Sequence, residues 1–346
     1  MTKVTIGMDL GDQHSQVCIV DAAGATVQTA RVRTTPTGLT RWFGAQPPTR
    51  VVVEAGTHSP WVSRLLTALG HTVLVANPRR LRLIYASDRK DDRVDAEYLA
   101  RVGRLDPQLL GAITHRGAEA QAALAVLRSR DALVRTRTGL INHVRGVVKT
   151  VGGRLPACST EVFPRKVAPA VPAALAPALA PVLAQLTLLT QQIHAYDGEL
   201  TRLGAEAYPD TARLRQVVGV GPVTALAYVL VLEDPARFPR SRAVGAYLGL
   251  QPRRRQSGAR DPQLRISKAG DPLLRRLLVQ SAQYILGPFG PDCDLRRHGL
   301  RIAAAGGGNA KKRAVVAVAR KLAVLLHRLW VSGARYDPAY GMPRAA

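Results

Sequence analysis

The chain has 346 residues, enough for two domains with cores of their own, and its 47% apolar content is that of an ordinary globular protein. Its 49 Lys and Arg against 24 Asp and Glu leave a formal charge of +25. Such an excess attracts polyanions and gains affinity from the counterions that neutralised phosphates release, so a nucleic acid is the expected partner ahead of a ribosome-associated or membrane-surface role. Cys18, Cys158 and Cys293 show neither metal-ligand spacing nor a paired framework, which points to a reducing, cytoplasmic setting. No signal-peptide progression opens the chain, and charges are expected to interrupt every apolar run before it could span a bilayer.

In chain order, Val4–Asp9 reads as a strand and Gln16–Val20 as its hairpin partner after the turn Gly11-Asp12-Gln13-His14. Thr26–Thr35 is a third β-rich run, followed by a short helix at Leu39–Phe43 and a strand at Arg50–Glu54. A helix over Trp61–Leu69 stops at Gly70, a usual C-cap. His71–Val75 is a buried strand ended by Asn77-Pro78, and Asp91–Val102 returns to helix. Three antiparallel strands followed by alternating helices and strands predict a mixed α/β sheet.

Ala118–Val151 is helical, with an apolar stripe from Leu124 to Val148 and a face of Arg and Lys. Residues 167–181, rich in Ala and Pro, read as a linker. Val182, Leu186, Leu189, Ile193, Tyr196, Leu200 and Leu203 then alternate at 3-4 spacing, the pattern of a heptad seam. Its polar intervening positions favour a dimerising coiled coil over a core helix. Beyond Thr211 come an apolar helix ending at Leu232, a helix over Ser241–Leu248, an Arg-rich loop from Pro252 to Arg265, and helices at Pro272–Ile285 and Ala310–Leu329. The divisions read from this pattern are 1–115, 116–205 and 206–346.

Asp9 and Glu54 each end a strand, while Asp92 and Asp95 sit three apart at a helix start and so share a face. If the two strands are neighbours, four carboxylates meet at one rim. They would repel one another without cations, and two Mg²⁺ ions relieve that repulsion while assisting phosphoryl transfer. An all-oxygen donor set selects Mg²⁺ or Mn²⁺ over zinc. Singly, each acid is equally a turn residue or a helix N-terminal charge, and Asp91, four before Asp95, competes with Asp92.

Two further segments suit phosphate. Val218-Gly219-Val220-Gly221-Pro222 has the form of a helix-hairpin-helix turn, where Gly219 and Gly221 let backbone N–H groups cradle a phosphate; an ordinary interhelical turn has the same form. In Pro252-Arg253-Arg254-Arg255-Gln256-Ser257-Gly258, a hydroxyl lies beside three guanidiniums able to hold a phosphodiester and offset its growing charge. Ser257 is there either a nucleophile or one more phosphate contact. Ser267, next to Lys268 in Arg265-Ile266-Ser267-Lys268-Ala269-Gly270, is the competing hydroxyl.

Ile6-Gly7-Met8-Asp9, Val52-Val53-Glu54-Ala55, Lys90-Asp91-Asp92-Arg93-Val94-Asp95-Ala96, Gly219-Val220-Gly221-Pro222, Phe238-Pro239, Ala246-Tyr247-Leu248-Gly249-Leu250, Gln256-Ser257-Gly258 and Ile266–Gly270 occur in this order. Together, over nearly the whole chain, they resemble the insertion-sequence-110 family of DEDD transposases, which includes the Piv-type DNA invertases. The resemblance implies a RuvC-like N-terminal domain of the ribonuclease H fold, a helical or coiled-coil middle, and a mainly helical C-terminal transposase domain. It implies metal ligation by Asp9, Glu54, Asp92 and Asp95, choosing Asp92 over Asp91, and makes Ser257 the nucleophile. It also implies a structured bridge RNA pairing with donor and target DNA, and a homo-oligomer, dimer or tetramer, in which one subunit's carboxylates work with another's serine. Gln256 departs from the family pattern, where many relatives carry a second Ser. The expected activity is strand exchange through a phosphoserine intermediate. A metal-dependent junction endonuclease and a non-catalytic nucleic-acid binder are the alternatives.

Overall fold

Five short strands build the N-terminal sheet of the computed structural model, which describes residues 4–81, 91–258, 260–262 and 264–340. Thr5–Asp9 (β1), His14–Val20 (β2) and Thr26–Arg33 (β3) form an antiparallel meander, with Thr5 opposite Val20 and Asp9 opposite Gln16. After a helix at Pro36–Phe43 (α1), Arg50–Glu54 (β4) joins β1 in parallel, Thr5 facing Arg50 and Met8 facing Val53. A second helix, Ser59–Ala68 (α2), crosses over to Thr72–Ala76 (β5), parallel to β4. The order β3-β2-β1-β4-β5 is the mixed α/β sheet the pattern predicts.

Val51, Val52 and Val53 are all fully buried because β4 is central and covered on both faces. One face packs Ile6, Met8, Val51 and Val53 against Leu39, Phe43, Val62 and Leu66 of α1 and α2. After Pro78–Leu81 (α3), the helix Asp92–Leu105 (α4) covers the other face, where Leu99 meets Val52 and Ala96 and Ala100 meet Cys18 and Val20. This contact tolerates almost no side chain at one point. A Cβ on Gly7 would lie 2.0 Å from the Ala96 carbonyl oxygen and 2.4 Å from the Ala100 nitrogen.

The chain divides into two compact units, Met1–Gly117 and Ala118–Ala346. In the second, Ala118–Thr150 (α5) and Ala176–Glu206 (α7) form an antiparallel hairpin, with Phe163–Val167 (α6) between them. Arg130 donates to Asp197 at 2.6 Å and Arg137 to Thr190 at 3.3 Å. Further along, Ile141, Val144 and Val148 pack with Leu179, Leu183 and Leu186. Two expectations change here. The Ala/Pro stretch is not a linker throughout, since α7 begins at Ala176 and carries Pro181 within it; alanine favours helix, and a proline this near the start removes few bonds. The heptad seam is filled from within the chain: Leu186, Leu189, Ile193 and Leu200 are buried, Leu186 and Leu200 in cores shared with α5, so a dimerising coil gains no support from it.

A third expectation fails as well. Residues 167–193 carry no charge, and by length and composition the helical stretch Ala173–Glu206 could cross a membrane; in this fold its leucines lie against α5 instead.

Asp210–Leu214 (α8) leads to Pro222–Leu232 (α9), buried throughout from Thr224 onward and central to the second unit. Around it lie Arg242–Tyr247 (α10), Pro272–Leu286 (α11), Asp294–Ala304 (α12) and Ala310–Ser332 (α13). Tyr228 at the heart of α9 donates its hydroxyl to the Ala323 carbonyl at 2.6 Å. Residues 116–205 reach into this core through Leu124, Leu127 and Leu200, and close a smaller one of their own around Val144, Phe163 and Leu179. The sequence reading passes over α8 and α12, the first because it is one turn long, the second because its cap is Cys293, whose sulfur accepts from the Arg296 N–H.

Gly7→Ala should force α4 off the sheet and cost about 2–3 kcal/mol, whereas Gly139→Ala, in open space on α5, should add about 0.5–1 kcal/mol. Urea midpoints of the full chain, read by circular dichroism, check the pair; equal midpoints for both variants would refute the packing argument.

Candidate carboxylate rim and serine loop

The register of β1 and β4 decides where two of the carboxylates go. Met8 faces Val53, so Asp9 and Glu54, each the next residue, end neighbouring parallel strands. Side chains alternate along a strand, which puts Asp9 with Gly7, and Glu54 with Val52, on the face covered by α4. That helix runs antiparallel to β1: Gly103 lies over Val52 and Thr5, and Ala96 and Ala100 over Gly7. Its first turn, with Asp92 and Asp95, therefore lies beyond Gly7 at the sheet end where Asp9 and Glu54 emerge.

Asp91 is occupied differently. It is the N-cap of α4, its carboxylate accepting the Arg93 N–H at 3.0 Å. Lys90, in the same sequence block, lies outside the described residues. Asp9, Glu54 and Asp95 are half-buried and Asp92 is exposed. Among the described residues, no three His, Cys, Asp or Glu side chains already close on one point as a metal cage. The donor set still fits a hard divalent cation, because the acids offer only oxygen and share one rim.

Neighbours of this rim escape the sequence reading. His58 receives the Trp61 indole N–H on Nδ1 at 3.1 Å, which leaves Nε2 to donate to Asp12 at 3.2 Å. The buried Ser59 hydroxyl accepts from the Gly56 N–H at 2.9 Å and donates to the Gly56 carbonyl at 2.8 Å. His115 Nε2, 2.8 Å away, then donates to the Ser59 oxygen. Burial, followed by Arg64 and Arg116, lowers the His115 pKa. This network clasps the turn directly after Glu54. Ser59 and His115 are 56 residues apart, and no local pattern couples them.

The serine loop is a two-limbed excursion. Pro252 bridges Ile266, Arg253 donates its N–H to the Arg265 carbonyl at 3.0 Å, and Ser257 and Arg260 exchange backbone hydrogen bonds near the tip. Gly258 at the tip has φ +54°, the left-handed region glycine favours. Ser257, Arg253, Arg254 and Arg255 are exposed. Arg254 leans on the Gln256 amide oxygen and lies 3.7 Å from Asp261. Ser267 sits lower, half-buried, its hydroxyl accepting the Ala269 N–H at 3.3 Å. The base is tight: a Cβ on Gly249 would lie 2.2 Å from the Ala269 nitrogen, and one on Gly270 2.0 Å from the Tyr247 carbonyl oxygen. Arg275 staples it by donating to the Leu248 and Ala269 carbonyls at 3.1 and 2.6 Å. Lys268 takes φ +54° and donates its N–H to Gly249.

In the glycine turn, Gly219 has φ +79° and packs against α11, with 3.1 Å left between a Cβ there and the Ser281 carbonyl oxygen. Gly221 caps α9 without any side-chain acceptor, and open space surrounds it.

Residues 6–152 match the DEDD IS110 transposase domain, and residues 211–292 match the domain of the transposase IS116/IS110/IS902 family. The chain is 29% identical to the transposase for insertion sequence element IS1111A of Coxiella burnetii, covering 94% of this chain and 88% of that protein. It is 32% identical to the transposase for insertion sequence element IS1328 of Yersinia enterocolitica, over 82% of this chain and 84% of the relative. A probable family 20 transposase of Pseudomonas aeruginosa is 30% identical, over 87% and 89%. Two domain matches in the expected order, with relatives aligned over most of both lengths, place the chain in the IS116/IS110/IS902 family of insertion-sequence transposases.

Proposed function

We propose that this transposase exchanges DNA strands through a covalent phosphoserine intermediate formed on Ser257, guided by a structured RNA that pairs with donor and target. In this reading the N-terminal unit is a RuvC-like, ribonuclease H-type domain, and residues 206–346 form the serine-bearing domain. The observation that carries the reading is the contrast between two hydroxyls. Ser257 is exposed at a hairpin tip beside Arg253, Arg254 and Arg255, while the Ser267 hydroxyl is engaged in its own turn. The chain's charge of +25 suits the simultaneous grip on DNA and RNA that guidance requires.

Ser257 Oγ attacks a DNA phosphorus. A serine O–P bond forms as the bond from phosphorus to one deoxyribose oxygen breaks, and the proton given up by serine is balanced by the one the departing hydroxyl gains. A hydroxyl on the exchanging strand then attacks the phosphoserine, restoring serine and closing a new diester. Each step trades one phosphate ester for another, so no high-energy cofactor is consumed. The arginines of the loop hold the phosphate and offset the charge that develops on it. Mg²⁺ or Mn²⁺, held by Asp9, Glu54, Asp92 and Asp95, would supply further neutralisation of that charge. Gly219 and Gly221 are the backbone contact to phosphate, and Lys268 a further cation at the loop's base. The same chemistry carried out by water would make the protein a junction endonuclease, leaving free ends and no adduct.

Ser257→Ala should abolish the protein–DNA adduct on denaturing gels with labelled donor DNA, guide RNA and Mg²⁺, while DNA affinity stays within about threefold. An adduct that persists in this variant would remove Ser257 from the mechanism.

The acids at the α4 start should separate by role. Asp91→Asn keeps a good cap and should leave both stability and strand exchange near wild type, whereas Asp91→Ala should cost about 1 kcal/mol of stability. Asp92→Asn or Asp95→Asn should instead reduce strand exchange by about 10²-fold or more with an unchanged melting temperature. Recombination assays across an Mg²⁺ series, paired with thermal melts, measure both. A full loss of exchange in Asp91→Asn alone would reverse the assignment.

A further inference from the structure

The second unit contains a groove of about 1220 Å³ between α12, α13 and the limbs of the serine loop. Its walls carry Arg242, Arg265, Lys268, Lys312, Arg313 and Arg320, and none of its lining residues is acidic. Among the described residues, Arg242, Arg265, Lys312 and Arg320 take part in no ion pair; the lining Lys321 is neutralised by Asp294 at 3.3 Å. The more deeply set lining, the floor, is different in kind: Leu250, Ile266, Ile302, Val316 and Val324 are aliphatic and buried or half-buried, whereas Arg242, Arg265, Lys268, Lys312 and Arg313 are exposed.

The α13 face explains this two-part surface. Lys312 and Arg313 are followed four residues on by Val316 and Ala317, and again by Arg320 and Lys321, then Val324. Positions four apart share a helix face, so cation pairs and apolar pairs alternate along one side. Lys312 and Arg320 stand about 12 Å apart along the axis at 1.5 Å per residue. Like charges held this close repel one another, and a polyanion in the groove relieves that repulsion. Burial, then Lys321 and Arg301, lowers the pKa of His298 on the α12 wall, Asp294 opposing, which favours a neutral imidazole there.

Duplex nucleic acid presents phosphates and polar groove edges, and would leave the aliphatic floor uncovered. An unpaired strand presents phosphates and, between them, the flat faces of its bases. We infer that this groove binds an unpaired polynucleotide strand, phosphates on its cationic walls and base faces on its aliphatic floor. Because Pro252 and Arg265 of the loop line the groove, a strand lying there is led toward the loop that carries Ser257. The inference deepens the phosphoserine reading and rests on it for the strand's destination, though not for its binding.

Fluorescence anisotropy with labelled mixed-sequence single strands of DNA and of RNA, and with a duplex control, tests it on the full chain. Lys312→Ala/Arg320→Ala should weaken single-strand binding about tenfold and lower the slope of log affinity against log salt by about 1 to 1.5, leaving duplex binding within about twofold. Lys311→Ala/Arg335→Ala removes equal charge at residues that do not line the groove and should bind like wild type; circular dichroism confirms the fold of each variant. Whichever single strand loses more affinity names the occupant as the DNA or the RNA strand. Unchanged affinity for both single strands, or an equal loss on duplex, overturns the groove. Ser257→Ala should bind single strands normally, so a groove that fails leaves the adduct result standing, and an adduct that survives in Ser257→Ala leaves the groove result standing.

Discussion

Everything proposed for the N-terminal unit depends on one close approach, the backbone of α4 lying directly on Gly7 of β1. Two hydrogen-bonded strands can bring Asp9 and Glu54 side by side, but strands alone cannot deliver acids from residues 92 and 95. Only a helix laid across the sheet at backbone contact carries its first turn to the strand ends. Gly103 repeats the device one end later, its Cβ position falling 2.3 Å from a Val52 methyl, so the helix is held at two points along its length. Asp91, by taking the cap, sets where that helix begins and therefore which following acids face the rim.

The second unit solves a different problem, that of presenting an exposed polar loop from a rigid base. Its centre is α9, whose apolar residues leave no polar face and which must be surrounded by other helices. The long α5 and α7 hairpin and the α11 and α13 pair provide that cover. The serine loop springs from this packed body between two glycines too crowded for any side chain, with the Arg275 guanidinium across its base. Near the tip Ser257 itself is exposed, which suits a nucleophile that must reach a phosphorus.

Much of this was legible in the residues alone, for identifiable reasons. The valine run at 51–53 and the alternation in β1 and β2 carry their period plainly, and every one of the five strands was anticipated within two residues or so at each end. The heptad seam misled because a 3-4 repeat specifies a helical neighbour without saying whether it belongs to the same chain. Pro181 misled because proline within a helix is tolerated near its start. The basic groove stayed hidden for a geometric reason, since its walls come from α10, α12, α13 and both limbs of a loop. The alternation along α13 was present in the sequence, yet cation pairs on a helix read as solvated until something apolar is seen facing them. Ser59 and His115 stayed hidden likewise, as a contact across most of a domain has no local signature.

The distribution of the few acids supports the division of labour between these parts. In the second unit they mostly brace helices: Asp197 holds Arg130, Asp131 holds Arg135 and Arg276, and Asp271 holds Arg128. These pairs tie the hairpin to itself and to α11, leaving those arginines less available to phosphate. The serine loop has only Asp261, at 3.7 Å from Arg254, and the groove only Asp294 behind Lys321. If the excess positive charge served solubility alone, acids would have no reason to be withheld from two concave or protruding surfaces while being supplied to a helix pair. Cations are instead left uncompensated where a phosphate chain could lie, and compensated where a fold must be held.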